Sequence, residues 1–485
     1  MTVPEPSVAE SARLPLWVRL ADLATVLLLA ASAFVVLTGG VRLEFFGAKV
    51  VVLSAERHFL RAVVIAAVRH LVYRRPSLVA RLAAWWYDLS ARWPIATGAA
   101  PLVLATRVGV LLAGYAAVVT FGYLGEKPPF RFSTSEFVNL PARWDAGWYL
   151  GIAFGGYQWI AAPEGQQNVA FFPAYPLLVR VAGLFCLSEQ TAHVSAWIGV
   201  GVSMVALFGA LVYLWRLALR FGTDEHAHGA ALLLCCYPFA VFFSVPYSEA
   251  LFLLCALGAF HHQLSREPIR AGAWGFLAGL TRPNGCFLSI PLAIIAAREG
   301  WRLVRQHRSQ GRRLPEGFRV VAPLLAAAAM PGLGMLAYSA LNWYHTGDPF
   351  LWATLQQTGW GRSADSSEVL REQFDMFESL GVLGAARFWP YEVLNFVPAF
   401  FALACLWPIT RRLGLAMGTF VALNLIVPLA YGGLMSLGRF TAVQFPLFLW
   451  LALALPPRTT MGLAAAFAVG QGLIAALFFT WRPIY

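Results

Sequence analysis

The chain has 485 residues, 59% of them hydrophobic and 12% charged, with a mean hydropathy of +0.64. Soluble proteins carry about a quarter charged residues, so this composition excludes an ordinary soluble domain and points to a membrane protein. The formal charge of +12 comes from arginines gathered in short stretches between apolar runs, which is a pattern of membrane topology and anionic-lipid contact rather than of nucleic-acid binding.

Residues 1–15 lack a signal-peptide cleavage pattern, so the first apolar run, 22–38, reads as a retained helix. A helix needs about 20 mostly apolar residues to cross the hydrocarbon core. Candidate runs are 20–38, 58–73, 100–123, 192–215, 228–245, 247–263, 271–298, 320–341, 392–409, 413–432, 437–455 and 460–480. They predict an all-α polytopic membrane protein of about 11 to 13 spans, with the run 271–298 interrupted by "RPNG". The stretch "VRLEFFGAKVVVLS", 41–54, suggests a short external hairpin, so residues 1–98 read as a two-span appendage and 99–485 as the core.

Orientation follows from the basic residues. Arg74, Arg75, Arg81 and Arg92, then Arg216 and Arg220, the stretch from Arg298 to Arg319, and Arg411 and Arg412 all fit a cytoplasmic placement. That arrangement requires "AFFPAYPLLVRVAGLFCL", 170–187, to lie in the interface rather than cross, as its two prolines and Arg favour. Two long loops, 124–191 and 342–391, then face outside. The cysteines, Cys186, Cys235, Cys236, Cys255, Cys286 and Cys405, lie in or beside apolar runs without metal-site spacing, and read as small buried hydrophobes.

The first of these loops contains "RWDAGWYLGIAFGGY", 143–157. In a helix over about 143–156, Asp145, Trp148, Tyr149 and Ile152 share one face, turned to lipid or to the protein body. Asp145 has two ordinary structural roles open to it, a helix N-cap or an ion pair with Arg143. Further polar groups gather at the outer ends of apolar runs. Tyr247, Ser248 and Glu249 stand between two spans, Arg282 and Asn284 at the "RPNG" break, and Arg439 at the start of a late span with Gln444 further in. A lone Arg at a helix end usually snorkels to headgroups. Here an acid, an outer Glu and two arginines map to the same side, beside an aromatic-rich loop. Ionisable groups at such depth usually face a cavity. A carboxylate and guanidiniums together suit a site that deprotonates an alcohol and holds a phosphate.

"RWDAGWYLGIAFGGY" followed by "NVAFFPAYPLLVRVAG" resembles the PIG-V family of mannosyltransferases. "CCYPFAVFFSVPYSEALFLLCALGAF", "GFLAGLTRPNGCFLSIPL", "NWYHTGDPFLWATLQQTGWGR" and "LGRFTAVQFPLFLWLAL" are similar to its later blocks, in family order over roughly 100–455. That resemblance implies a GT-C glycosyltransferase fold and transfer of a sugar, mannose by analogy, from a polyprenyl-phosphate donor to a glycan or glycolipid acceptor on the non-cytoplasmic face. It implies Asp145 as the catalytic base of an inverting reaction. Arg282 and Arg439 become the cations for the leaving phosphate, Arg282 the stronger candidate because its Pro–Asn–Gly break opens the backbone. Trp144, Trp148, Tyr149 and Tyr157 either stack on sugar or anchor the loop. Tyr247 and Glu249 either orient substrate or serve structure, Glu249 by pairing with Arg282 or Arg439.

Many GT-C enzymes carry a paired acid that binds a divalent metal. Here the position reads "WDA", which favours a metal-independent reaction, with Asp348 of "TGDPF" as a remote second carboxylate. The Ala/Arg/Leu-rich composition is compatible with a bacterial inner membrane. A transporter or flippase remains the alternative, although such proteins usually show matched broken helices in two pseudo-repeated halves and only one clear break is visible.

Overall fold

The computed structural model describes residues 14–38, 41–45, 48–52, 54–125, 130–159, 165–185, 192–309, 315–362 and 366–484. The chain divides into two compact units, residues 1–97 with 185–190, and residues 98–184 with 191–485.

In the first unit, α1 (Leu16–Thr38) and α2 (Ala55–Val72) flank an antiparallel hairpin of β1 (Val41–Phe45) and β2 (Ala48–Val52), with Val41 opposite Val52; α3 (Leu78–Arg92) follows. One ionisable group here escaped sequence reading. Asp22 lies buried in α1, 2.8 Å from Arg69 of α2 and also bonded to Arg81 of α3. A carboxylate within an apolar helix is costly unless it is paired, and this pairing ties three helices together.

Helix α4 (Pro94–Phe121) leads into the second unit. The first long loop holds α5 (Ala146–Gly155) and α6 (Ala174–Phe185). Next come α7 (Ala192–Ala218), α8 (Asp224–Cys236), α9 (Glu249–Leu264), α10 (Pro268–Thr281), α11 (Ser289–Ser309) and α12 (Pro315–Thr346). The second long loop carries α13 (Leu351–Thr358) and α14 (Ser366–Phe388). The chain closes with α15 (Pro390–Ala404), α16 (Leu406–Leu413), α17 (Leu415–Gly432), α18 (Leu437–Ala442), α19 (Phe445–Ala454) and α20 (Pro457–Phe479).

Seven described helical segments are long and apolar enough to cross a membrane, and an eighth arises if α8 and the 3₁₀ turn Pro238–Ser244, bent by 81°, count as one. The chain is an integral membrane protein, but this count is below the 11 to 13 spans expected from sequence. Breaks explain the difference. The run 271–298 splits into α10, a 3₁₀ turn over Pro283–Leu288, and α11, while 437–455 splits into α18 and α19. Helix α19 has 10 residues. At 1.5 Å per residue it reaches about 15 Å, half of a hydrocarbon core of about 30 Å. Run 58–73 became α2, which carries Glu56, Arg57, Arg61 and Arg69. Helix α6, with 12 residues, is too short to cross, in line with its prolines and Arg.

Short, broken helices need their freed carbonyls satisfied inside the protein. Arg107, fully buried in α4, donates to Ala240 O and Cys235 O and, at 3.1 Å, to Ser244 Oγ. Gln471 of α20 adds bonds to Cys235 O at 3.0 Å and Tyr237 O at 2.8 Å. Together they close the 81° bend after α8. At the second break, α10 approaches α12 backbone to backbone. A Cβ on Gly279 would lie 2.0 Å from Pro331 O, and one on Gly334 would lie 2.2 Å from Phe276 O. Small residues permit such contact between apolar helices, where dispersion rather than water exclusion drives association. The core between α9, α17 and α19 is aromatic: Phe445 meets Phe260 at 5.2 Å and Phe420 at 5.1 Å. Among the described cysteines, Cys235, Cys236, Cys255 and Cys405 are buried, Cys286 is half-buried, and all are free thiols; Cys186 lies outside the described residues.

Candidate active site

Helix α5 begins at Ala146, and Asp145 occupies its N-cap with a helical backbone (φ −62°, ψ −14°). Its carboxylate caps nothing. Arg143 turns away from it: Nε donates to Phe479 O at 2.8 Å, Nη1 to Ala142 O at 3.0 Å, and the guanidinium lies over the Tyr123 and Trp481 rings. Asp145 therefore holds the expected N-cap position without a capping bond, and the ion pair with Arg143 is not formed. Instead Asp145 Oδ2 accepts a hydrogen bond from Arg439 Nη1 at 2.7 Å.

That bond opens a chain of charges. Arg439 Nε stands 3.3 Å from Glu249 Oε1, and Arg282 Nη1 donates to the same oxygen at 3.2 Å. Arg282 is also held between the rings of Phe440, 4.9 Å away, and Phe252, 5.7 Å away. Glu249 is the first residue of α9 and Arg439 belongs to α18, while Arg282 is extended between α10 and the Pro283–Leu288 turn. Four elements thus converge on one site. Side-chain exposure runs from 1% at Glu249 through 8% at Arg282 and 17% at Arg439 to 26% at Asp145. The order decides which carboxylate can meet a substrate: Glu249 is sealed between two guanidiniums, and Asp145 is the open end.

Tyr247 fixes that end. Its hydroxyl accepts the Asp145 backbone N–H at 3.0 Å and donates to Arg143 O at 3.3 Å, so the turn before α5 is pinned from below. The backbone on both sides of the Asp145–Arg439 pair is strained. Trp144 has φ 53° and Ser436 has φ 64°, left-handed values that non-glycine residues adopt at a cost of about 1–3 kcal/mol. Such strain persists where the surroundings enforce it, and here the Trp144 indole donates to Phe478 O at 3.2 Å and packs on Trp481.

The remaining candidates divide. Tyr149 is buried beside the cluster, its hydroxyl 2.9 Å from Ser248 Oγ. Trp148 stacks on Phe171 and meets Trp360 edge-on at 6.2 Å, so this face of α5 turns to the protein body. Asn284 donates to Asn424 Oδ1 at 2.7 Å within the core. Tyr157 bonds Phe171 O and lines a cavity of about 240 Å³ with Trp159, Tyr338, Asn342 and His345. Asp348 accepts the Phe350 N–H ahead of α13.

The two long loops pack on each other. Val169 and Ala170 of the first form a small core with Leu351 and Leu355 of the second, and Tyr338 donates to Val169 O at 2.7 Å. A Cβ on Gly359 would lie 2.9 Å from Gly165 O, so only glycine allows this approach. Through this contact the second loop brings Trp360 against α5 and Arg362 toward the charge cluster, two residues that sequence reasoning passed over. The signal was present in "TGWGR", an aromatic and a cation closing a loop helix, although nothing local shows where they point.

Residues 131–350 match the family model of mannosyltransferase (PIG-V). The matched segment contains Asp145, Tyr247, Glu249 and Arg282, while Arg362 and Arg439 lie beyond it. The chain is 34% identical over 153 residues to GPI alpha-1,6-mannosyltransferase 2 of Rattus norvegicus, covering 30% of this chain and 29% of the relative. It is 32% identical over 152 residues to the protein of the same name from Cricetulus griseus, with the same coverage of each chain. The chain thus spans about a third of the length of the curated relatives it matches. Among solved structures it is similar to an oligosaccharyltransferase of Archaeoglobus fulgidus tethered with an acceptor peptide, at a TM-score of 0.40 and 14% identity, covering 79% of this chain and 55% of that one.

Proposed function

We propose that the chain is a GT-C type membrane glycosyltransferase that moves mannose from a polyprenyl-phosphate donor to a hydroxyl of a glycan or glycolipid acceptor. The observation that carries this reading is the charge chain Asp145–Arg439–Glu249–Arg282, with its carboxylate at the open end. The PIG-V match over 131–350 supports the sugar chemistry. In the reaction, the acceptor oxygen attacks the anomeric carbon as the bond from that carbon to the phosphate oxygen breaks. The proton passes to Asp145, the configuration inverts, and polyprenyl phosphate departs with the bonding pair. A phosphate leaves readily, so the protein's tasks are to activate the hydroxyl and to stabilise the charge that develops. Arg439 orients Asp145, while Glu249, itself paired with Arg282, braces Arg439.

We read the reaction as independent of a divalent metal. Asp145 already has a guanidinium as its cation, and the motif around it reads "WDA" rather than a paired acid. Purified protein is expected to transfer labelled mannose from polyprenyl-phosphate mannose, to continue in excess EDTA, and to ignore a nucleotide-activated sugar. Transfer from the nucleotide sugar alone would remove the lipid-phosphate reading, and abolition by EDTA would remove the metal-independent one.

The site is proposed to face away from the cytoplasm, because the positive-inside bias favours a cytoplasmic placement of the basic stretch between Arg298 and Arg319, and the alternation of spans then puts both long loops outside. Cysteines placed at Ser135 and Thr358, both exposed, are expected to react with an impermeant maleimide in intact cells, and one at Arg305 only after permeabilisation. The opposite labelling pattern would reverse the orientation.

A further inference from the structure

The charge cluster faces a third guanidinium, Arg362, that forms no ion pair with a carboxylate among the described residues. Arg362 follows α13 in the second long loop, where its N–H donates to Gln356 O at 3.1 Å and Trp360 is locked against Trp148 and Phe171. The side chain is half-buried and rests against the end of α17, so that a Cβ on Gly432 would lie 2.6 Å from its Nη1. Its electrostatic neighbours are Arg439, Asp145, Tyr431 and Arg282. Nε is buried without a hydrogen-bond partner among the described residues, and no ion pair there includes Arg362. Burial, then the charge of Arg439, lowers its pKa to about 10, which leaves it protonated at neutral pH.

The balance of charge is therefore uneven. Arg282, Arg439 and Arg362 stand against Asp145 and Glu249. Arg282 has its carboxylate and two rings around it, and Arg439 bridges both acids. A guanidinium held beside two other cations with no carboxylate paired to it among the described residues is unfavourable, and its planar fork matches phosphate oxygens. We propose that Arg362 is the residue that binds the phosphate of the polyprenyl donor and of the polyprenyl phosphate that leaves. This assignment rests on the lipid-phosphate transferase reading above. The loop core that joins the two external segments is then what carries the cation to the base.

Binding of short probes to the purified full chain in detergent tests the assignment. Farnesyl phosphate should bind wild type well above farnesol. Arg362→Ala should weaken farnesyl phosphate roughly tenfold or more, the usual loss for one charged hydrogen bond, and leave farnesol unchanged. Arg362→Lys should fall between, because it keeps the charge and loses the fork. Gly432→Ala serves as a second variant, since its methyl displaces the guanidinium without changing any charge. It too should weaken farnesyl phosphate. Removing Arg362 strands no paired carboxylate among the described residues, so thermal unfolding should stay near wild type. Farnesyl phosphate bound equally by wild type and a folded Arg362→Ala overturns the assignment. Inorganic phosphate bound as tightly as farnesyl phosphate overturns the lipid source. A wild type that does not distinguish farnesyl phosphate from farnesol overturns the donor reading itself.

Discussion

Asp145→Asn is expected to lower kcat about 10²–10⁴-fold, the usual contribution of a positioned base, while the protein stays folded. Asn keeps the shape of the side chain but cannot take the acceptor proton. The change is structurally mild for reasons visible at the site. Asp145 makes no cap hydrogen bond that could be lost, and its backbone N–H is held by Tyr247, which the substitution does not touch. Arg439 loses one carboxylate but keeps Glu249 at 3.3 Å. The Asn side-chain oxygen can still accept from Arg439, so the contact is weakened rather than removed. The loss should therefore appear in turnover and not in thermal unfolding. A role limited to pairing with Arg439 predicts near-normal turnover in the folded variant.

Glu249→Ala should have the opposite signature, a loss of folded protein. Glu249 is 1% exposed and its Oε1 serves both Arg282 and Arg439. Truncating it leaves Arg282 buried between Phe252 and Phe440 with no carboxylate beside it. Breaking a buried pair in this way costs about 3–5 kcal/mol. Thermal unfolding in detergent should shift down by many degrees. The double variant Glu249→Leu with Arg282→Met removes both charges together and should recover much of that loss, because an apolar pair of similar volume replaces a buried ion pair at little cost. A Glu249→Ala protein as stable as wild type would contradict the sealed-pair description.

Much of this site was legible before any coordinates. The acid at 145, the Glu at 249 and the arginines at 282 and 439 stood out because polar groups are rare in so apolar a chain. Their pairing was not legible. Arg439 meets Asp145 across 294 positions and Arg143 meets Phe479 across 336, and no local pattern encodes such distances. The sequence therefore offered Arg143 as the partner of Asp145 simply because it was near. The class of fold followed from hydropathy, but the number of crossings did not. Hydropathy counts apolar runs, whereas 3₁₀ turns and a bend of 81° shorten them, and Arg107 inside an apolar run is what makes one such bend tolerable. Asp22 was overlooked for the same reason: its partners Arg69 and Arg81 lie on other helices.

Initial-rate transfer of mannose from polyprenyl-phosphate mannose, measured for wild type and Asp145→Asn at equal concentrations of folded protein, tests the central claim most directly. The account predicts robust transfer by wild type and a rate lower by about two to four orders of magnitude in the variant, with unfolding temperatures that nearly coincide. Equal rates in two equally folded proteins would contradict it and leave Asp145 as no more than an ion-pair partner of Arg439.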